Sequence, residues 1–279
     1  MKLARIGDTG FEVPAVLSED GTYRDLSSVV GDIDGKTLSD MSWSVDLDIS
    51  GLPRLPADAR IGACVGSVGK LIGIGLNYTD HAAETGQRIP KEPILFGKAT
   101  SSICGPRDDV ILPRGSEKLD WEVELAVVIG RRASHVSEED AENHIAGYCV
   151  MNDVSERAFQ IERSGQWLKG KSADTFGPTG PWLVTRDEVA DPQDLHLWMD
   201  VDGQRYQDGS TSTMIFGVRT LVSYVSQFMS LQPGDIITTG TPAGVGLGQN
   251  PQVFLRVGQT MKLGVEGLGE QCQTVVASR

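Results

Sequence analysis

The sequence contains few cysteines, and no two of them lie close together. They are Cys64, Cys104, Cys149 and Cys272, with no C-x-x-C pair among them. Scattered cysteines in a chain of 30.0 kDa are typical of a reduced cytoplasmic protein rather than of a disulfide scaffold. The sequence also lacks an apolar run of signal-peptide length at its amino end, and no stretch approaches a transmembrane helix. We therefore expect a cytoplasmic location and no membrane partner.

Basic residues are also scarce compared with acidic ones. Lysine and arginine total 25 against 38 aspartates and glutamates, which gives a formal net charge of −13. Nucleic acids and anionic membranes need clustered basic residues, so this balance argues against both as the main partner. An anionic small substrate remains compatible with it, because a bound metal ion reverses the sign of a local site.

The chain is long enough for one large domain, or for one large and one small domain. Residues 1–66 combine short strand-like segments, Lys2–Ile6 and Val13–Leu17, with turn signals and a plausible linker over residues 51–56. This pattern predicts a small amino-terminal lobe, followed by a larger domain over residues 67–279. Strands outnumber helices and do not alternate regularly with them, so the fold class is predicted to be α+β.

The most informative segment covers residues 120–130, where β-branched residues and two-residue alternation predict a strand. In a strand, Glu122 and Glu124 point to the same face, with Cα atoms roughly 6.5–7 Å apart. Asp153 stands at the end of another apolar run. Three carboxylates without a convincing histidine or cysteine ligand indicate a hard cation, Mg²⁺ or Mn²⁺. On pattern alone, a solvated strand face with an E-x-E spacing stays open as the alternative.

One histidine and one lysine also deserve a chemical interpretation. His81 and Glu84 are three residues apart in a helix-like segment, and the carboxylate would orient the imidazole for work as a general base. A surface ion pair is the simpler reading of an isolated H-x-x-E. Lys171 lies in residues 165–172, which match the G-x-x-x-x-G-K-[ST] pattern of a phosphate loop.

We interpret this match as false. The preceding residues are polar and helix-like instead of a buried strand, and the glycines and prolines that follow cannot open a helix. The segment Gly73-Ile74-Gly75 lacks the third glycine of a dinucleotide-binding motif and is equally weak evidence for a nucleotide.

Several segments, taken in order, resemble the fumarylacetoacetate hydrolase family over roughly residues 70–275. They are Gly75-Leu76-Asn77-Tyr78 with His81 and Glu84, residues 98–103, residues 120–125, residues 152–157, Lys171-Ser172 with Phe176-Gly177-Pro178, and residues 231–235 followed by 240–246. The resemblance implies a mixed β-roll catalytic domain and a homodimer. It implies metal binding by Glu122, Glu124 and Asp153, catalysis by His81, Glu84 and Lys171, and substrate binding by Arg157, Gln160 and Thr241. Asp120 is not required as a ligand.

Within the family, the chain is most similar to bacterial hydrolases of 2,4-diketo-3-deoxy sugar acids of the L-rhamnonate or L-fuconate type, often labelled ureidoglycolate lyase. This likeness implies cleavage of the C3–C4 bond of a small anionic diketo acid, giving pyruvate and a short hydroxy acid such as lactate. Oxaloacetate decarboxylation, another acylpyruvase activity and ureidoglycolate lyase activity stay open on the same metal site. A non-catalytic metal-binding protein and a nucleotide-binding protein are further alternatives.

Overall fold

The structure is a computed structural model that describes residues 1–278. Within them the strands, in chain order, are β1 Lys2–Ile6, β2 Val13–Leu17, β3 Tyr23–Asp25, β4 Leu71–Gly75, β5 Ile94–Lys98, β6 Ile103–Cys104, β7 Val110–Leu112, β8 Leu119–Asp120, β9 Val123–Ile129, β10 Ile145–Asn152, β11 Ser155–Glu156, β12 Gly177–Pro178, β13 Leu183–Thr185, β14 His196–Val201, β15 Gln204–Ser210, β16 Ile236–Thr238, β17 Thr260–Val265 and β18 Gly269–Ala277.

Helices are short by comparison. The α-helices are α1 Gly35–Ser39, α2 Thr79–Glu84, α3 Glu138–Ala141, α4 Leu168–Lys171 and α5 Val218–Phe228, and Ala158–Glu162 forms one π-helical turn. Single 3₁₀ turns cover Met41–Ser44, Ile49–Gly51, Thr100–Ser102, Glu142–His144, Arg186–Glu188, Thr211–Thr213 and Gly246–Gly248. None of the helices in the described chain is both long and apolar enough to cross a membrane.

Two larger sheets form the molecule. A nine-stranded sheet has the order β3-β2-β1-β13-β10-β9-β16-β4-β5, and a five-stranded sheet has the order β15-β14-β17-β18-β7. Most neighbouring strands in them are antiparallel, while two pairs, β16 with β4 and β18 with β7, run parallel. Strands dominate without regular alternation with helices, so the predicted α+β class is confirmed.

The amino-terminal strands belong to the large sheet. β1 pairs with β13 through Lys2 opposite Val184 and Leu3 opposite Leu183, and β2 and β3 extend the same edge. The predicted strands Lys2–Ile6 and Val13–Leu17 are confirmed to the residue. A domain boundary near residue 66 stays a prediction, and the hydrogen-bonded sheet itself continues across that point.

β9 lies in the middle of the large sheet, and all seven of its residues are buried. Val123 and Leu125 pack in the core cluster shared with the five-stranded sheet, whereas Ala126 and Val128 pack in a second cluster with amino-terminal residues. The alternation expected for residues 120–130 is therefore present. The regular strand begins only at Val123, because Leu119–Asp120 separates from it and pairs with β11.

Candidate metal centre and active site

Three buried carboxylates meet where β9 begins and β10 ends. Glu122, Glu124 and Asp153 each offer one oxygen, and these oxygens lie within 4.8 Å of one another. Glu124 belongs to β9, Glu122 directly precedes it, and Asp153 follows the last residue of β10. The Asp153 amide donates to the carbonyl oxygen of Glu122 at 2.9 Å, which fixes the two strand ends together. The residues chosen from sequence as metal ligands are thus brought together.

The environments of the two glutamates differ strongly. Burial, followed by the charges of Asp153 and Glu122, raises the pKa of Glu124 well above its usual range. Burial alone would also raise the pKa of Glu122, but Lys171 and Arg157 outweigh it and hold that pKa at about 2. Negative charge is therefore costly mainly at Glu124, where a bound cation would relieve the repulsion.

Glu124 is oriented by the strand next to it. Its Oε2 accepts hydrogen bonds from the Thr238 hydroxyl and, at 2.8 Å, from the Gly240 amide. Thr238 ends β16, which pairs with β9 so that Thr238 lies opposite Ala126. The carboxylate is thereby held by two donors that follow directly from strand pairing.

Two buried lysines bind the carboxylates from the other side. Lys171 Nζ donates to Glu122 Oε2 and to Asp153 Oδ2, both at 2.7 Å, and Lys98 Nζ lies 2.5 Å from Asp153 Oδ1. Sequence reasoning named Lys171 as a catalytic residue but gave Lys98 no role. The available signal was a lysine at the end of the apolar strand Ile94–Lys98, a position that buries its ammonium group.

The donor set suits a hard divalent cation. The four buried carboxylates of the cluster are accompanied by three buried cations, leaving one formal negative charge; the members are Asp120, Glu122, Glu124 and Asp153 with Lys98, Arg157 and Lys171. Within the described chain, ion pairs join these cations to Asp120, Glu122 and Asp153, and none reaches Glu124. Three converging carboxylate oxygens with a surplus of negative charge are what Mg²⁺ or Mn²⁺ requires.

His81 and Glu84 lie in α2, as the helical spacing predicted. His81 Nδ1 is 3.4 Å from Glu84 Oε2, and Glu84 Oε1 accepts from the Gly244 amide at 2.9 Å. Glu84 is thus tied to the glycine-rich loop after β16, and it in turn holds the imidazole by one nitrogen. His81 also lines the cavity that adjoins the carboxylates.

The predicted substrate-binding residues surround the same site. Arg157 Nε donates to Asp120 Oδ2 at 2.7 Å, and its Nη1 donates to Gln160 Oε1 at 3.1 Å. Asp120 also accepts from two loop amides of residues 246–247, so it serves Arg157 and the loop instead of the carboxylate triad. Thr241 donates its hydroxyl hydrogen to the carbonyl oxygen of Val123 at 2.8 Å.

A cavity of about 290 Å³ joins these groups. Its walls include the predicted residues His81, Glu122, Glu124, Arg157, Gln160, Lys171 and Thr241, and the apolar residues Ile74, Leu76, Ile94, Phe96, Ile161, Trp167 and Leu247. The apolar members were not singled out from sequence.

That match is explained by the local structure. The π-helical turn Ala158–Glu162 precedes the segment, and α4 has only four residues, so no buried strand leads into a helix amino terminus. Gly170 is required because a Cβ there would lie 2.5 Å from the carbonyl oxygen of Glu156 and from Gln160 Cβ. The lysine of the pattern points to carboxylates.

Buried amides that sequence reasoning missed support the site from behind. Gln207 of β15 accepts from the Val123 amide at 3.0 Å and donates to the Thr241 hydroxyl at 2.7 Å. Asn152 accepts from the Glu122 amide at 3.2 Å and donates to Gln273 at 3.0 Å. These contacts join sequence-distant strands, so no local pattern could have indicated them.

Comparison with known proteins gives one consistent family. The model of the fumarylacetoacetate (FAA) hydrolase C-terminal family matches residues 70–276. A Burkholderia multivorans protein whose name specifies a hydrolase and no substrate is 60% identical, with 100% of both chains covered. A fumarylacetoacetate hydrolase from psychrophilic Exiguobacterium antarcticum has a TM-score of 0.90 and 36% identity, again with 100% of both chains covered.

A maleylpyruvate hydrolase from Sphingobium sp. SYK-6, solved with manganese(II) and pyruvate, has a TM-score of 0.84 and 27% identity over 100% of both chains. These similarities confirm the predicted fumarylacetoacetate-hydrolase-like fold. With the family model covering most of its length, the chain belongs to the fumarylacetoacetate hydrolase family.

Proposed function

We propose that the protein is a metal-dependent hydrolase that cleaves the C3–C4 bond of a short 2,4-diketo acid. The observation that carries this proposal is the convergence of three carboxylate oxygens within 4.8 Å beside the cavity that also contains His81. Glu122, Glu124 and Asp153 would hold Mg²⁺ or Mn²⁺. When bound, this ion would supply a Lewis acid for the carboxylate and 2-keto oxygens of the substrate.

The chain's own residues account for the proton transfers. His81, held through one nitrogen by Glu84, takes a proton from a water molecule with its other nitrogen. The water oxygen bonds to C4, the C3–C4 bond breaks, and its electron pair remains on C3. The proton that His81 took from the water is then returned to C3, so the products are pyruvate and the carboxylic acid that contains C4.

Lys171 and Arg157 supply positive charge next to this chemistry. Both are buried in the cavity wall, and each is fixed by ion pairs to the acidic cluster. Fixed charges in a water-poor site stabilise negative charge that develops on a substrate oxygen. Arg157 also donates to Gln160 and so orients its amide, which would form a polar contact with the end of the substrate that lies next to Arg157 and Lys171.

For the substrate itself, we propose a 2,4-diketo-3-deoxy sugar acid of the L-rhamnonate or L-fuconate type. Cleavage of this compound gives pyruvate and lactate. A cavity of about 290 Å³ supports a small molecule of this kind, because ligand sites for drug-sized compounds reach about 300–1,000 Å³. The hydrolytic reading is favoured by the His81–Glu84 pair, which decarboxylation of oxaloacetate at the same metal site would not need.

A pyruvate-release assay over a substrate panel tests the proposal. The panel contains the diketo-deoxy sugar acids, simple acylpyruvates, oxaloacetate and ureidoglycolate, each with and without added Mg²⁺ or Mn²⁺. We expect metal-dependent pyruvate release from 2,4-diketo acids, with sugar acids preferred. Pyruvate release from oxaloacetate alone would show that the protein is a decarboxylase and not a hydrolase. Absence of release from every 2,4-diketo acid would refute the proposed reaction.

The homodimer and the cytoplasmic location stay predictions, to be checked by light scattering and by cell fractionation.

A further inference from the structure

Two glycines on β4 receive two aromatic rings. Gly73 and Gly75 are two residues apart in the strand, so they share one face of the sheet. A Cβ at Gly73 would lie 2.1 Å from Phe96 Cζ, and a Cβ at Gly75 would lie 2.5 Å from Trp167 Cζ3. Neither distance is compatible with a side chain. The segment Gly73-Ile74-Gly75, which made a poor nucleotide motif, is therefore explained as the seat of two rings.

The two rings form a continuous wall that starts at the charged cluster. Lys171 Nζ lies 5.0 Å from the centroid of the Phe96 ring, and the Phe96 and Trp167 centroids are 5.4 Å apart. Ile94 is two residues before Phe96 in β5 and lines the same cavity, as does Ile161. This apolar wall runs from Lys171 past Phe96 to Trp167 and Ile94, while the polar residues Thr85, Gln87 and Gln160 line other parts of the cavity.

The cations in this cavity are already engaged. Of the described lysines and arginines, Arg157 and Lys171 line it, and they are paired with Asp120, Glu122 and Asp153. His81 is paired with Glu84. A carboxylate at the far end of the substrate would lie against Phe96, Trp167 and Ile94, with no cation among the described cavity residues to pair with it. Ile94 is 36% exposed, so that charge would keep part of its hydration and lose the rest, which disfavours it.

We propose that Phe96, Trp167 and Ile94 determine specificity, so that the site accepts diketo acids with one carboxylate and a short acyl end that terminates in a methyl group. This inference rests on the proposed function and narrows its substrate class. Trp167 limits the length of the acyl end, and Gly75 keeps its ring in place. A methyl-terminated sugar acid meets both conditions, whereas an acid with a second terminal carboxylate does not.

The first test compares kcat/KM for acylpyruvates of increasing chain length and for maleylpyruvate, with Mn²⁺ present. In the wild type we expect kcat/KM for the shortest acylpyruvate to exceed that for maleylpyruvate by roughly a hundredfold. Each added methylene should lower kcat/KM by about tenfold. Trp167→Ala should shift the optimum toward longer chains, and Trp167→Leu should shift it less. Trp198→Ala is the matched control, because Trp198 packs against Arg205 and Lys262 outside the cavity.

The second test measures binding and does not need turnover. N-alkyl oxamates carry the oxygen pair of pyruvate on an inert chain, and calorimetry with Mn²⁺ gives their Kd beside that of an oxamate ending in a carboxylate. We expect the alkyl compounds to bind at least about tenfold more tightly, and Trp167→Ala to reduce this preference. If the alkyl compounds bind more tightly but no substrate is turned over, the proposed reaction is overturned and the proposal that Phe96, Trp167 and Ile94 set specificity is supported. Equal affinity or equal kcat/KM for both classes, or an equal effect of Trp167→Ala on every chain length, would overturn the specificity proposal.

Discussion

Replacement of Lys171 by methionine tests how the acidic cluster is held in the absence of metal. Lys171 Nζ binds Glu122 and Asp153 at 2.7 Å each, and its side chain is 2% exposed. Methionine has a similar length and apolar stem but no charge. In Lys171→Met, two buried carboxylates therefore lose one cationic partner, while the packing of the stem is largely preserved.

The size of the effect follows from the partners that remain. Loss of one partner of a buried ion pair typically costs about 3–5 kcal/mol. Glu122 keeps Arg157 and Asp153 keeps Lys98, so neither carboxylate is left alone. We therefore expect Lys171→Met to lower the free energy of unfolding by about 3 kcal/mol in metal-free buffer, the lower end of that range. For a domain of this size, each kcal/mol lowers the Tm by about 2–4 °C, so the Tm should fall by roughly 6–12 °C.

Added metal should reverse this loss. The variant cluster carries one more negative charge, so Mn²⁺ should bind roughly tenfold more tightly than in the wild type. At a hundredfold excess over Kd, binding contributes about 2.7 kcal/mol to the free energy of unfolding. Thermal unfolding with and without Mn²⁺ measures both effects. The control is Lys262→Met, which removes a half-exposed, solvent-screened pair with Glu270 and should leave the Tm nearly unchanged. An unchanged Tm of metal-free Lys171→Met, or equal Mn²⁺ stabilisation of variant and wild type, would refute the reasoning.

Three further substitutions probe separate parts of the site. His81→Ala should retain Mn²⁺ binding and lose turnover by about 10²–10⁴-fold, because it removes a general base and no proposed ligand; calorimetry and pyruvate release measure the two. Thr238→Val should weaken Mn²⁺ binding by about 10–100-fold, because Glu124 loses a hydrogen bond that orients it; calorimetry measures the Kd. Gln207→Leu should lower the free energy of unfolding by about 3 kcal/mol, because the buried Val123 amide loses its acceptor and the Pro242 carbonyl oxygen loses its side-chain donor; urea denaturation measures it.

Each of these substitutions has a control and a contradicting outcome. For His81→Ala the control is His135→Ala, an exposed histidine, and full turnover of His81→Ala would remove the general-base assignment. For Thr238→Val the control is Thr220→Val on the exposed face of α5, and an unchanged Kd for Mn²⁺ would show that Glu124 needs no orientation. For Gln207→Leu the control is Gln232→Leu at an exposed glutamine whose amide donates to the Ser230 hydroxyl; equal stability of Gln207→Leu and the wild type would contradict the role of the buried amide.

Local pattern nominated part of the site, and the family resemblance assigned the roles. Strand alternation predicted Glu122 and Glu124 on one face and an apolar run ended just before Asp153, but the resemblance joined these three as ligands; in the structure their oxygens converge although Glu122 precedes the regular strand. Helical spacing brought His81 to Glu84. In each case the relevant geometry is set within a few residues of chain, or by a strand end that the hydrophobic pattern shows.

Long-range pairing decided the rest. Lys98 reaches Asp153 across 55 residues of sequence, and Gln207 reaches Val123 across 84. These contacts depend on the strand order of two sheets, which periodicity does not specify. The glycines of β4 were also ambiguous from sequence, since an absent side chain indicates a close neighbour without saying which one. Only the packed structure identifies the rings of Phe96 and Trp167.

The position of β5 at the border of the large sheet has a practical consequence for engineering. β5 forms a ladder with β4 on one side, and this ladder uses backbone groups alone. Exchange of the side chains at Ile94 or Phe96 therefore removes no hydrogen-bonding group of this ladder, whereas Lys98 on the same strand pairs with Asp153 and must be kept. A combinatorial library confined to those two codons varies the proposed acyl contacts while Glu122, Glu124 and Asp153 are inherited unchanged.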